Sequence, residues 1–291
     1  MAITVNTNIP SLTAQKSLNN ATSKMNTAME RMTTGLKINS SKDDAAGMAV
    51  ANKLDYKISS LNVAQNNGQM GASMLDTAEG VLNVINDNLV RIRDLTEQAA
   101  NGTYGSDAMT AIETEVQARM DEITRLAQSS EFNGKVLFDG SIDKPITLQV
   151  GIKSDETSQI ELSETLFKGA EASTLFKTTG GTATPNVTNG DFSEVFDNDA
   201  NARKFLTAID EVLEDITSRT TLLGGYQQRI ISAMDAAGVM ETNLTSAKSL
   251  IEDADIAEES SNYIKQQILQ QTSASLLATA NQAPSIALNL V

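Results

Sequence analysis

The sequence predicts a mainly α fold: long coiled-coil helices forming a rod, with a small β-hairpin region capping one end. Three observations carry this. Apolar residues recur at alternating spacings of three and four from Leu61 to Ala99 and again from Phe205 to Ile251. One short block between them alternates at period two. Both ends finish in stretches without a charged side chain. A sustained 3.5-residue period is the signature of a coiled-coil seam, and a period of two is that of a half-buried strand.

Near the N-terminus Ala14, Leu18, Ala21, Met25, Ala28 and Met32 follow the heptad, but the stripe is narrow and rich in alanine. Such a helix buries little apolar area and is marginal alone. It is predicted to lack fixed structure in a single chain and to order on assembly. Next comes the series Leu61, Ala64, Gly68, Gly71, Leu75, Ala78, Leu82, Ile85, Leu89, Ile92, Thr96, Ala99. The turn Asn101-Gly102-Thr103-Tyr104-Gly105 follows it. A third helix then runs from about Asp107 to Ser129, with Met109, Ile112, Val116, Met120, Ile123 and Leu126 on one face. The turn lets it fold back antiparallel.

Asn133-Gly134 is a strong hairpin-turn signal. Ile146-Thr147-Leu148-Gln149-Val150 and Ile160-Glu161-Leu162 alternate as strands. Acids concentrate over residues 139–215, which reads as a solvated outer surface, and residues 177–191 read as loop. The second long series is Phe205, Ile209, Val212, Ile216, Arg219, Leu223, Tyr226, Ile230, Ala233, Ala237, Met240, Leu244, Ala247, Ile251. At 1.5 Å per residue it makes a helix about 70 Å long. Arg219 interrupts this seam and Arg119 interrupts the third helix. A buried unpaired guanidinium is costly, so at least one of them is expected to meet an acid on an adjoining helix. The C-terminal stripe is Leu269, Leu276, Ala280, Ala283, Ala287 and Leu290, again alanine-rich and expected to order only on assembly.

Composition narrows the chemistry. The 291 residues include no His, Cys or Trp, and the net charge is −15. No disulfide, Ser-His-Asp triad, or His- or Cys-ligated metal is available. Adjacent acids such as Asp43-Asp44 and Glu258-Glu259 point about 100° apart on a helix and do not form a two-carboxylate site. No cofactor, metal or catalytic residue is expected, and an enzyme is the reading from another class, limited to carboxylates. Nucleic-acid binding is disfavoured by the charge. No window holds the roughly 20 apolar residues of a membrane helix, and the N-terminus does not resemble a cleaved secretion signal. The ends differ in sign: Lys16, Lys24, Arg31 and Lys37 against Glu30 near the start, five acids against Lys265 over 252–265. Ends of this kind suit pairing with each other or with copies of themselves.

The run Arg31-Met32-Thr33-Thr34-Gly35-Leu36-Lys37-Ile38-Asn39-Ser40-Ser41-Lys42-Asp43-Asp44-Ala45-Ala46-Gly47 resembles the N-terminal signature of bacterial flagellins. Ile251-Glu252-Asp253-Ala254-Asp255 resembles their C-terminal signature, joined by Gln267-Ile268-Leu269-Gln270-Gln271 and Ala280-Asn281-Gln282-Ala283-Pro284. Leu250 and Ile256 depart from the residues usual beside that second motif. The resemblance covers about residues 1–165 and 200–291. It implies type III export, secretion and polymerisation into the extracellular flagellar filament for motility. The alternative within the family is a hook–filament junction protein. It implies an inner terminal coiled-coil domain (1–44 plus 252–291), a rod domain with the hairpin (45–165 plus 200–251) and a short variable outer segment (166–199). Leu18, Met25, Met32, Leu269, Leu276 and Ala283 are then polymerisation residues, the termini pairing as helices in the filament. The implied partners are copies of the chain, an export chaperone, and cap and hook-associated proteins. Residues 89–95 also resemble the flagellin stretch recognised by Toll-like receptor 5, which implies Arg91, Leu95 and Glu115 as receptor contacts.

Overall fold

The computed structural model describes residues 7–178 and 195–288, with side chains described to 176 and from 195 to 282. Its helices are α1 (Ile9–Thr34), α2 (Ala45–Ala99), α3 (Ser106–Ser129), α4 (Ala172–Thr178), α5 (Asp199–Glu252) and α6 (Ile256–Leu288). Its strands are β1 (Glu131–Phe132), β2 (Lys135–Val136), β3 (Ile146–Gln149) and β4 (Gln159–Leu162). The chain divides into two compact units, one of Ser60–Met240 and one of Met1–Ser59 with Glu241–Val291.

In the first unit all twelve positions of the Leu61–Ala99 series are buried, from Leu75, Ala78, Leu82, Ile85, Leu89 and Ile92 at 0% exposure to the two glycines and Thr96. Fully burying each large aliphatic side chain contributes roughly 1.5–3 kcal/mol, so this stripe is the backbone of the core. Phe205, Ile209, Val212, Ile216, Leu223 and Ile230 bury the facing stripe of α5. Gln227 donates to Asp76 and Glu79, and Arg93 pairs with Asp210. Positions that rise along α2 fall along α5, so the two helices run antiparallel. The glycines in the seam mark close approach: a Cβ at Gly68 would lie 2.8 Å from Met234 Cγ, and one at Gly71 would lie 2.5 Å from Leu148 Cδ1. The α5 stripe is only half-buried at Tyr226 and Ala233 and opens to solvent at Met240.

α3 lies antiparallel to α2, fixed by Arg91 to Glu115 and by Arg119 to Asn88. It buries Ile112, Val116, Met120, Ile123 and Ala127. Arg119 therefore meets a neutral amide at 3.2 Å rather than an acid. Arg219, at 5% side-chain exposure, meets Asp215 of its own helix and the carbonyl of Lys168. Among the described residues neither arginine has the inter-helix acid partner the interrupted stripes predict: Arg119 is exposed and does not need one, and at Arg219 one turn of the same helix supplies the acid.

The period-two block forms two antiparallel hairpins. β1 pairs with β2 through Glu131↔Val136 and Phe132↔Lys135. The two-residue turn between them has Asn133 at φ 50° and Gly134 at φ 77°, the left-handed pair that a tight hairpin turn requires. β3 pairs with β4 from Ile146↔Leu162 to Gln149↔Gln159.

Part of the segment expected at the outside instead fills the core. Leu166, Phe167, Ala170, Ala172, Leu175, Phe176, Val195 and Phe196 are all buried. The Phe205 ring lies 5.2 Å from Phe176 and 6.5 Å from Phe196, and Phe138 lies 6.4 Å from Phe167. Most of the 177–191 loop lies outside the described residues.

Candidate assembly surface and receptor patch

The two long sequence motifs meet in the unit of residues 1–59 and 241–291. α1 is stopped by Gly35 in the left-handed conformation at φ 75°, its N–H donating to Arg31 O. The following residue, Leu36, forms an antiparallel bridge with Asp253. The Lys37 N–H donates to Glu252 O at 2.6 Å and the Ala254 N–H to Gly35 O at 2.9 Å. Thus the loop after α1 and the loop after α5 pair through their backbones.

Three acids of the motifs, Asp43, Asp44 and Asp255, accept hydrogen bonds from backbone N–H groups. Asp43 accepts from the Ser40 and Asn39 N–H groups at 3.0 and 3.2 Å, and from the Ser40 hydroxyl. The Ser40 hydrogen bonds hold its carboxyl below the ordinary carboxylate range. Asp44 accepts from the Ala46 and Gly47 N–H groups and starts α2, while Asp255 accepts from those of Ala257 and Glu258 and starts α6. Gly47 leaves room for buried Ile38, whose Cδ1 would sit 2.7 Å from a Cβ there. Lys248 reaches Asp55 at 2.7 Å and Glu252 at 3.4 Å. The hydrogen bond to Asp55 holds its ammonium above the ordinary lysine range.

α1 and α6 run antiparallel beyond this junction. Ala14, Ala21 and Ala28 are buried, and Leu18, Met25 and Met32 are half-buried beside them. The cross-links are polar: Arg31 to Glu259 at 2.9 Å, Gln270 to Thr22 at 3.0 Å, Ser11 to Asn281 at 2.7 Å, and Asn8 to the Ala280 carbonyl at 2.8 Å. The narrow stripes predict ends without fixed structure in one chain, yet here both are helical. Each supplies the other with partners that neither has alone. The inward face of α6 includes Glu259, Gln266, Gln270, Ser273 and Ala280, with Leu269 (44%) and Leu276 (58%) turned outward. Ile264 (52%) and Ile268 (57%) join them, and on α1 Ile9 and Leu12 are as exposed. The side chain of Ala283 lies outside the described residues.

The second candidate lies in the unit of residues 60–240. Arg91 Nη2 and Nε donate to Glu115 Oε1 at 2.9 and 3.0 Å. Both side chains remain partly open, at 44% and 38%. A shallow groove beside them is lined by Asp94, Glu97, Gln98, Asn101 and Tyr104. Leu95 does not join this surface. It is 3% exposed and belongs to the core with Ile92 and Ala99.

Two family models match the chain: the bacterial flagellin N-terminal helical region over residues 5–143 and the C-terminal helical region over residues 206–291. The flagellin of Xenorhabdus nematophila is 36% identical over 313 residues, spanning 100% of both chains. That of Bacillus subtilis (strain 168) is 33% identical over 304 residues, spanning 99% of each. A solved structure from Vibrio parahaemolyticus, described as a flagellar hook-associated protein, superposes with a TM-score of 0.56 over 72% of this chain and 99% of its own. At 15% identity that likeness speaks for the fold alone. Among the described residues no helix is long and apolar enough to cross a membrane. Family models over most of its length and full-length relatives above 30% identity place this chain in the bacterial flagellin family, the structural subunits that polymerise into the extracellular flagellar filament.

Proposed function

We propose that this flagellin polymerises through the terminal pair α1–α6, with the outward apolar side chains of α6 as the contact surface. The observation that carries this reading is the exposure of Ile264, Ile268, Leu269 and Leu276 on a helix with no charged residue after Lys265. Exposed apolar groups of that density on a soluble subunit mark a surface that is covered in the working state. Leu18, Met25 and Met32 support it from α1, and Ala283 extends it. The junction built by Gly35–Lys37 and Glu252–Asp255 fixes how the two helices leave their loops. The role is structural, without catalysis. Export through the type III channel, a chaperone during export, and cap and hook-associated proteins at the filament ends complete the reading.

Deletion of residues 266–291 tests it. The truncated chain is expected to keep the cooperative melting of the 60–240 unit and to form no filaments on seeding with sheared fragments. Normal filaments from the truncated chain would refute the terminal contact.

A second surface is favoured by the Arg91–Glu115 pair, an exposed base and acid held 2.9 Å apart on adjacent helices. We infer that it is the surface that Toll-like receptor 5 would engage, with Leu95 acting from below to hold Arg91 in place. Arg91→Ala is expected to weaken receptor signalling by the equivalent of about 1–2 kcal/mol, roughly five- to thirty-fold. Helicity should be unchanged, because an exposed Arg→Ala substitution costs a helix little. A reporter assay on purified monomer, with wild type, Arg91→Ala and Glu115→Ala side by side, decides it. Equal activity of all three would remove the assignment.

A further inference from the structure

Arg219 is the charged position on the α5 seam, where every other position from Phe205 to Ile251 is apolar. Its side chain is 5% exposed. Nη2 meets Asp215 Oδ2 at 2.5 Å, Nη1 donates to the Lys168 carbonyl at 2.9 Å, and Nε is buried with no hydrogen-bond partner among the described residues. A leucine would complete the seam without desolvating a guanidinium, and buried ion pairs are frequently no more stabilising than apolar replacements of similar volume. The core therefore does not explain the arginine, whereas the carbonyl it reaches does. Lys168 follows the 3-10 turn Glu164–Phe167 and lies among buried Leu166, Phe167 and Ala170. The Ala170 N–H is tied on the far side to Phe138 O at 2.9 Å. The Lys168 side chain is exposed, but its carbonyl leads into buried Gly169 and Ala170, and a backbone carbonyl turned inward there needs a donor, which buried Arg219 supplies.

We infer that Arg219 is a positioning residue that anchors residues 163–176, the stretch after β4, to α5, taking the Lys168 carbonyl as its ligand and Asp215 as its counter-charge. The anchor fixes the register in which Leu166 and Phe167 enter the core, and with them the start of α4. It favours one arrangement of this segment over others rather than adding to the stability of the helix seam. Asp215, half exposed, compensates the charge without touching the segment.

Hydrogen exchange on the full-length monomer tests this. In Arg219→Leu the amides of Leu166 and Ala170, which donate to Ser163 O and Phe138 O, are expected to exchange at least tenfold faster. Amides of α2 between Leu75 and Ile92 should keep their rates, and the melting temperature should not fall. In Asp215→Asn, where the carbonyl bond survives, the Leu166 and Ala170 amides should keep wild-type protection. If Arg219→Leu fails to fold, Arg219→Met, with a long flexible apolar chain, is the substitute and carries the same expectation. Unchanged exchange at Leu166 and Ala170 would overturn the anchor. So would a uniform acceleration accompanied by a lower melting temperature, or an equal loss of protection in Asp215→Asn, since each would make Arg219 an ordinary ion-pair partner.

Discussion

Replacing Ile268 and Leu276 together by aspartate is expected to give a chain that folds as the wild type does and does not polymerise. Both side chains are more than half exposed in the single subunit, at 57% and 58%. They lie on one i, i+4 ridge with Ile264, the kind of row that seats into the groove of a neighbouring helix. Loss of the apolar contacts removes a few kcal/mol per interface, and each buried carboxylate without a partner adds several more. At 1.4 kcal/mol per factor of ten, the critical concentration for growth should rise by at least about a thousandfold. Monomer circular dichroism should be unchanged, because exposed substitutions cost little in stability. Sedimentation of seeded reactions measures the outcome. Filaments growing at wild-type concentrations would show that this ridge faces solvent in the assembly.

Phe205→Ala should be the most damaging single substitution in the 60–240 unit. The ring is fully buried and stands between Phe176 and Phe196, so it joins α5 to both ends of the segment read from sequence as external. Truncating a buried phenylalanine costs about 3–5 kcal/mol, which in a unit of this size lowers the melting temperature by roughly 6–20 °C. Because the cavity opens at a junction of three elements, neighbouring side chains cannot all collapse into it. Differential scanning calorimetry gives the number. A loss below about 1 kcal/mol would mean that the aromatic cluster is not part of the cooperative core.

The helical framework was legible because the heptad never slips. Each of the twelve seam positions between Leu61 and Ala99 is buried, and Asn133-Gly134 makes the turn its composition calls for. The core contribution of residues 166–176 and 195–196 was harder to see. Its apolar pairs, Leu166-Phe167, Leu175-Phe176 and Val195-Phe196, are short islands among acids, glycines and threonines, too brief to show a period. In a chain with only seven phenylalanines, four of them between residues 166 and 196 was the available signal. Leu95 was misplaced because a motif match records residue type and not facing. Its position beside Ile92 and Thr96 in the seam already pointed it inward. The α1–α6 contact was hidden for a different reason. On α6 its inner face is largely glutamine, serine, alanine and the acid of one ion pair, so hydrophobic periodicity pointed to Leu269 and Leu276, which face out.

The backbone pairing between Gly35–Lys37 and Glu252–Ala254 also has a kinetic consequence. Contacts of α2 with α3 close loops of 24 and 31 residues. By contrast Arg31 and Glu259 are 228 positions apart, and Asn8 and Ala280 are 272 apart. Loop-closure entropy must be met before distant contacts repay it, and chains dominated by such contacts fold slowly. A chain emerging from its N-terminus can form the α2–α3 pair at once. Among the described residues its first helix meets its partner only once the chain from Glu252 through α6 has appeared. The terminal pair is then the late-forming element of the subunit, and a chain delivered end first presents a formed middle before its ends can close.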